Sequence, residues 1–100
     1  MKWEEGRQGT GYLKRLVGQG KTWDLWLLKY PKWSKIPWHT DPVDGKRHYR
    51  LNVVLWGPQA FRGETLLAWG PVVLFRPDIM THKVKGSNRV RYVLSLGWVR

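Results

Sequence analysis

The chain has 100 residues, 42% of them hydrophobic, which suits one compact domain and argues against a disordered chain. Eighteen Lys and Arg residues against seven Asp and Glu residues give a formal net charge of +11, so a polyanion such as nucleic acid is an expected partner. The absence of cysteine excludes disulfides and thiol chemistry, so any metal site must use His, Asp, Glu and water.

The cellular location is predicted from two sequence features. No apolar run approaches the length of a membrane span. Residues 1–10 lack the apolar stretch of a signal peptide. We therefore expect a cytoplasmic protein without a membrane association.

In chain order, the sequence reads as short strands separated by turn residues. Residues 48–56 and 89–99 alternate with a period of two, which is typical of strands. Residues 10–17 fit either a short helix or a strand, and we predict a strand that forms a hairpin with 21–30. The remaining predicted strands are 64–69 and 71–75, separated by Gly70.

Three side chains have the spacing of a metal site. His39 and Asp41 are two residues apart, so on an extended segment both point to the same side and can reach one ion. His82 is expected just after the strand at 71–75. Two His and one carboxylate form the facial triad of non-haem Fe(II) enzymes. His48, the third histidine, lies outside this pattern, and we interpret it as a non-ligand.

Arg91 lies nine residues after His82, on the last predicted strand. It shares a face of that strand with Val93 and Ser95. A solvent-exposed side chain is the default interpretation, and the alternative is a charge that points into a barrel and holds an anion. A guanidinium in that position can bind a carboxylate through two hydrogen bonds. Where these side chains form no site, His39 and Asp41 belong to a turn before Pro42, and His82 lies in a surface loop.

The order His39-x-Asp41, His82, Arg91 resembles that of the 2-oxoglutarate/Fe(II)-dependent oxygenase superfamily. The stretch "FRPDIMTHKV…RYVLSLGWV" is similar to the prolyl hydroxylases. The stretch "YRLNVVL", with the short gap between Asp41 and His82, is more similar to the aspartyl/asparaginyl β-hydroxylases. The resemblance extends over roughly residues 22–100.

The resemblance implies an all-β fold, a double-stranded β-helix or jelly-roll (cupin-like) barrel of short antiparallel strands. It further implies a single minimal domain over residues 1–100 and a hydroxylase that uses O₂ and 2-oxoglutarate as co-substrates. His39, Asp41 and His82 would hold Fe(II), and Arg91 would bind the far carboxylate of 2-oxoglutarate. The other implied residues are Arg50, as a second candidate for that carboxylate, and the hydroxyls of Ser95 and Tyr49.

The chain departs from the family pattern in its length and in one turn. It has almost no room for the N-terminal helices that brace the family's barrel, so a homodimer that supplies the brace is an open possibility. The "FRGE" stretch keeps only part of the usual Gly-Gly-Glu turn. We expect an apolar cavity lining from Trp38, Leu55 and Trp69, and a nucleic acid or an acidic or protein substrate.

Two other functions stay open at this point. One is a non-catalytic basic β-barrel that binds single-stranded nucleic acid through Trp and Arg, since interleaved cations and aromatic rings are typical of such proteins. The other is a barrel that holds a metal without turnover.

Overall fold

The structure is a computed structural model that describes residues 3–5, 11–40 and 45–100, so Asp41 lies outside the described residues. The regular elements of the described part are all β-strands, and paired strands run antiparallel. They are β1 (Glu4–Glu5), β2 (Leu13–Gln19), β3 (Trp23–Tyr30), β4 (Ile36–His39), β5 (His48–Trp56), β6 (Phe61–Gly63), β7 (Leu67–Trp69), β8 (Val72–Phe75), β9 (His82–Val84) and β10 (Arg91–Val99).

The strands form two sheets of unequal size. The large sheet has seven strands in the order β1-β2-β3-β10-β5-β8-β7, and the small sheet has three in the order β4-β9-β6. Tyr30 and Val93 from the large sheet pack in one buried cluster with Ile36 and Val84 from the small sheet. The two sheets therefore face each other across one core, which confirms the predicted all-β jelly-roll architecture.

The last strand, β10, shows how the sequence pattern produces this core. Its residues alternate between buried and half-buried, beginning with buried Arg91 and continuing through Val93, Ser95 and Gly97. Because side chains of a strand alternate between its two faces, these four residues share the inner face. Arg91 therefore points inward, so the default interpretation of an exposed side chain is wrong and the inward alternative is confirmed.

Most of the longer strands occur where the alternating pattern predicts them. β3, β5, β8 and β10 match the predicted segments to within two residues, and β2 pairs with β3 as the predicted hairpin. The segment 64–69 is wrong in extent, because only Leu67–Trp69 forms a strand. The sequence pattern missed β1, β4, β6 and β9, which have two to four residues each and are too short to display a period.

The expected position of His82 just after a strand is also wrong. β8 ends at Phe75, a turn follows, and His82 opens β9. This difference matters for the site, because β9 is the strand that pairs with β4.

No helix in the described part of the chain is long and apolar enough to cross a membrane. The outer face of the large sheet carries half-buried apolar side chains, among them Leu25, Leu27, Leu94 and Leu96. The homodimer that would cover this face stays a prediction.

Gly63 is required by the close approach of two strands. It pairs with His82 in the small sheet and has a φ of 139°, a conformation that favours glycine. A Cβ at this position would lie 2.5 Å from the carbonyl oxygen of Thr81 and 2.8 Å from Cα of His82.

We expect Gly63→Ala to lower the free energy of unfolding by about 1–3 kcal/mol, because both the backbone conformation and the space exclude a methyl group. Gly70→Ala is the matched control, since Gly70 has a φ of 53° but nothing within 4 Å of an added Cβ. Urea unfolding of both variants measures the difference. Equal losses would show that the clash with the His82 strand has no energetic weight.

Candidate functional site

The pairing of β4 with β9 places two histidines next to each other, with their rings tilted by 56°. His39 is the register partner of His82, and the centroids of their rings are 4.2 Å apart. His82 is only 5% exposed, and its ring packs against Phe61 and Phe75 at centroid distances of 5.8 and 4.9 Å. His39 and His82, two of the three predicted metal ligands, therefore lie side by side. Asp41, the third, lies outside the described residues.

Both histidines are oriented by a hydrogen bond to a backbone carbonyl. His39 Nδ1 lies 2.7 Å from the oxygen of Pro37, and His82 Nδ1 lies 2.8 Å from the oxygen of Met80. A carbonyl oxygen can only accept, so each Nδ1 carries the proton, and in the neutral ring the lone pair is on Nε2. A hydrogen bond from Nδ1 to a carbonyl oxygen is typical of histidines that bind metals, because it fixes both the tautomer and the ring direction.

The turn between β8 and β9 supplies the carbonyl that orients His82. The amide of Met80 donates to the oxygen of Arg76 at 2.8 Å, and the guanidinium of Arg76 pairs with Asp78 at 2.7 Å. Burial, the largest single influence, would raise the pKa of Asp78. The hydrogen bond from Arg76, backbone hydrogen bonds from His48 and Asp78 and the charge of Arg76 together outweigh burial, so the pKa lies below its usual value. The ionised pair holds the turn closed near neutral pH.

A cavity of about 250 Å³ opens beside the two histidines. Its lining combines cationic side chains with aromatic rings and a few polar groups. The lining residues used below are Lys14, Trp26, Tyr30, His39, His48, Arg50, Asn52, Phe61, His82, Val84 and Ser95.

Arg50, the second candidate for a carboxylate, already has an anionic partner. Its Nη2 lies 2.6 Å from Oδ1 of Asp24, and its Nη1 donates to Oγ of Ser95 at 2.7 Å. Ser95 in turn donates to Oδ1 of Asn52 at 2.6 Å. The charge of Arg50 is thus neutralised inside the protein, and the Ser95 hydroxyl belongs to the Arg50 network.

Arg91 is in a different electrostatic situation. Its side chain is 2% exposed, its guanidinium lies over the ring of Tyr30 at 4.6 Å, and its Nη2 donates to the carbonyl of Lys85 at 3.2 Å. Its Nε has no hydrogen-bond partner, and no carboxylate pairs with it among the residues that the structure describes. Burial lowers the pKa of Arg91 from its ordinary value and raises that of Tyr30, which stays a neutral phenol.

The Arg91 site adjoins the histidine site. Arg91 lines a second cavity of about 20 Å³, which shares four of its lining residues with the larger one. The shared residues are Tyr30, Asn52, Phe61 and Val84. Within residues 3–5, 11–40 and 45–100, no three His, Cys, Asp or Glu side chains cluster as a complete metal site.

Several predicted positions differ from the structure. Tyr49 stacks on Trp98 at 5.7 Å, in a strand position that alternates with the cavity-lining His48 and Arg50. The expected apolar lining from Trp38, Leu55 and Trp69 is wrong, because these side chains are 54%, 53% and 74% exposed.

Other cavity residues were missed by the sequence interpretation. His48, which lies outside the predicted triad, lines the larger cavity, as do Lys14 and Trp26. The period-two alternation of 21–30 and 48–56 could have placed Trp26 and Asn52 on the inner faces, but nothing in the sequence pairs Lys14 with Trp26, whose ring lies 4.5 Å from Nζ of Lys14.

No protein-family model matches the chain, and no curated protein matches it in sequence. The fold is similar to that of many solved structures, among them the following three. KdgF from Halomonas sp. has a TM-score of 0.70 at 17% identity, with 100% of this chain and 87% of that chain covered. The Cnp3 cupin domain of Schizosaccharomyces pombe has a TM-score of 0.75 at 7% identity, with 100% and 69% covered. A prolyl-4-hydroxylase from Pseudomonas putida has a TM-score of 0.71 at 19% identity, with 99% and 77% covered.

These likenesses show that the chain has a cupin-like jelly-roll fold. Since a fold of this kind hosts many functions, the activity must be argued from the site.

Removal of the charge should affect the free energy of unfolding differently at the two arginines. Arg91→Met should leave the free energy of unfolding unchanged or raise it, because the variant removes a buried charge without an acidic partner. Arg50→Met should lower it by roughly 1–2 kcal/mol, because Asp24 and Ser95 lose their hydrogen-bond donor. Urea unfolding of the metal-free protein measures both, and a larger loss for Arg91→Met would contradict this account of the buried charge.

Proposed function

We propose that the chain is an Fe(II)- and 2-oxoglutarate-dependent oxygenase that hydroxylates an unidentified substrate. The observation that carries the proposal is Arg91, a fully buried cation whose Nε has no hydrogen-bond partner among the described residues. It lines a small cavity that shares four lining residues with the larger cavity beside the His39–His82 pair. A buried guanidinium is costly unless an anion compensates it. A carboxylate of a bound co-substrate is such an anion.

The donor set fits a metal of the iron type. Two neutral imidazoles with Nε2 as donor, together with a carboxylate from Asp41, form a facial triad that keeps three coordination positions open for other ligands. Asp41 follows His39 by two residues, so it is the carboxylate that the chain brings nearest to the pair in sequence. The cupin-like fold supports this assignment.

Iron with bound 2-oxoglutarate supplies oxygen activation and hydroxylation coupled to loss of CO₂ from the 2-oxo acid. The residues of the chain bind, orient and exclude water. The backbone carbonyls of Pro37 and Met80 hold the two imidazoles in register. Phe61 and Phe75 pack around His82 and keep water from it. Arg91 binds the far carboxylate, and burial strengthens that contact by lowering the local dielectric.

Arg91 is a better candidate for that carboxylate than Arg50. Arg50 already pairs with Asp24, so binding a second anion there would require that ion pair to open. Its network with Ser95 instead forms part of the wall of the larger cavity. With Lys14 and His48 in the same wall, this cavity suits a substrate that carries an anionic group, in a nucleic acid or an acidic protein.

If Arg91 binds the far carboxylate of 2-oxoglutarate, then Arg91 determines the preference for a 2-oxo acid that carries this group. Wild-type protein should bind 2-oxoglutarate about 10- to 100-fold more tightly than 2-oxobutanoate, which lacks the far carboxylate, because a charged hydrogen-bonded pair is lost. In Arg91→Met this preference should nearly vanish, while the affinity for 2-oxobutanoate changes little. Isothermal titration calorimetry with Mn²⁺ in place of Fe(II) measures all four affinities.

Arg50→Met is the matched control and should retain the preference. If Arg50→Met loses the preference and Arg91→Met keeps it, the two arginines exchange roles. If neither 2-oxo acid binds the wild-type protein with metal present, the proposed function is wrong.

A further inference from the structure

The outer face of the small sheet combines exposed Arg62 and half-buried Lys83 with an exposed aromatic ring. Arg62 and Lys83 are register partners in the β6–β9 pair, so their side chains lie next to each other on one face. Nζ of Lys83 lies 5.1 Å from the ring of Trp38, which brings the indole to the same face. We call Trp38, Arg62 and Lys83 the basic face.

The composition of the small sheet leaves the basic face strongly positive. Its three strands contain Arg62 and Lys83 and no acidic residue, and exposed Lys35 and Lys85 flank it in the chain. The guanidinium of Arg62 donates to the carbonyls of Gln59 and Phe61, and no carboxylate pairs with Arg62 or Lys83 among the described residues. Glu64, directly after β6, is the nearest acidic residue in sequence. The face is therefore suited to an anionic partner.

The exposed ring of Trp38 indicates which kind of anion the basic face binds. Trp38 is 54% exposed even though it adjoins the buried core in sequence, so its ring offers an apolar surface to the solvent. An acidic peptide needs only cations, whereas an unpaired nucleobase stacks on an aromatic ring while cations contact its phosphates. Bases within a duplex are already stacked and cannot reach the ring.

A second exposed tryptophan lies at the end of the small sheet. Trp33, three residues before β4, is 69% exposed and has a φ of 65°. This is the only non-glycine residue with a positive φ in the described part of the chain, and such strained residues concentrate at functional sites. Its amide donates to the carbonyl of Ser87 at 2.7 Å, which holds the strained backbone against the loop that follows β9.

We propose that the basic face, extended by Trp33, binds single-stranded nucleic acid. Trp38 and Trp33 stack on unpaired bases, and Arg62 and Lys83 contact the phosphates. The strand is held on the outside of the small sheet, on the opposite side of β4 and β9 from the histidine pair. This binding is separate from the proposed oxygenase chemistry and does not require it.

Fluorescence anisotropy with a labelled oligothymidylate of about ten nucleotides tests the proposal. Trp38→Ala should weaken binding roughly ten-fold, because base stacking on the ring is lost. The even more exposed Trp69, on the edge strand of the large sheet, provides the control, and Trp69→Ala should leave the affinity unchanged. Trp38→Phe should retain part of the affinity, which separates loss of stacking from a loss of folding.

The contribution of Arg62 and Lys83 to the affinity is measured from its dependence on salt concentration. The double variant Arg62→Gln, Lys83→Gln should reduce the slope of log affinity against log salt by about 1.4, or about 0.7 for each charge. An abasic strand of the same length should bind more weakly than oligothymidylate binds to Trp38→Ala, because it loses stacking on Trp33 as well as on Trp38.

Three results would overturn the proposal: no binding of oligothymidylate at low salt, equal binding of the abasic strand, or equal losses in Trp38→Ala and Trp69→Ala. Competition by polyglutamate as strong as that by oligothymidylate would also overturn it, since the face would then bind any polyanion. Because none of these variants alters a proposed iron or 2-oxoglutarate contact, either proposal can fail while the other holds.

Discussion

The antiparallel pairing of β4 with β9 is the contact on which the site depends. It sets His39 opposite His82 in a sheet of only three short strands, where a shift of one residue would turn one ring away from the other. On the other side of β9, Gly63 allows β6 to approach His82 closely. The same pairing separates the inner histidines from the outward Trp38 and Lys83, so one small sheet serves two faces of different chemistry.

Half-buried Arg50 and buried Arg91 show how the fold distributes the cost of charge. Arg50 is compensated within the chain by Asp24, so its ion pair is part of the structure. Among the described residues, Arg91 contacts the ring of Tyr30 and one carbonyl but no carboxylate, so its charge is left without an anion near the histidine pair. Groups left in this state usually mark a binding site, because a protein gains nothing in stability from keeping them.

The sequence pattern predicted the long strands, because a period of two repeated over nine residues of β10 leaves little freedom. The pattern alone left the direction of Arg91 open, and only the family resemblance favoured the inward one. It could not predict β4, β6 and β9, whose few residues form strands only because their partners lie beside them. The pairing of Arg50 with Asp24 joins residues 26 positions apart in two strands, and no local pattern encodes it. Trp38 was assigned to the lining because aromatic residues favour cores, whereas its place in β4 turns it to solvent.

The measurement that tests the central claim most directly is an anaerobic titration of the protein with Fe(II) and then 2-oxoglutarate, followed by visible absorption. The wild-type protein should develop the metal-to-ligand charge-transfer band of a 2-oxo acid bound to iron, and His82→Ala should not, because the imidazole opposite His39 is gone. A wild-type protein that shows no band, or a His82→Ala variant that shows the same band, would contradict the assignment of this histidine pair to iron.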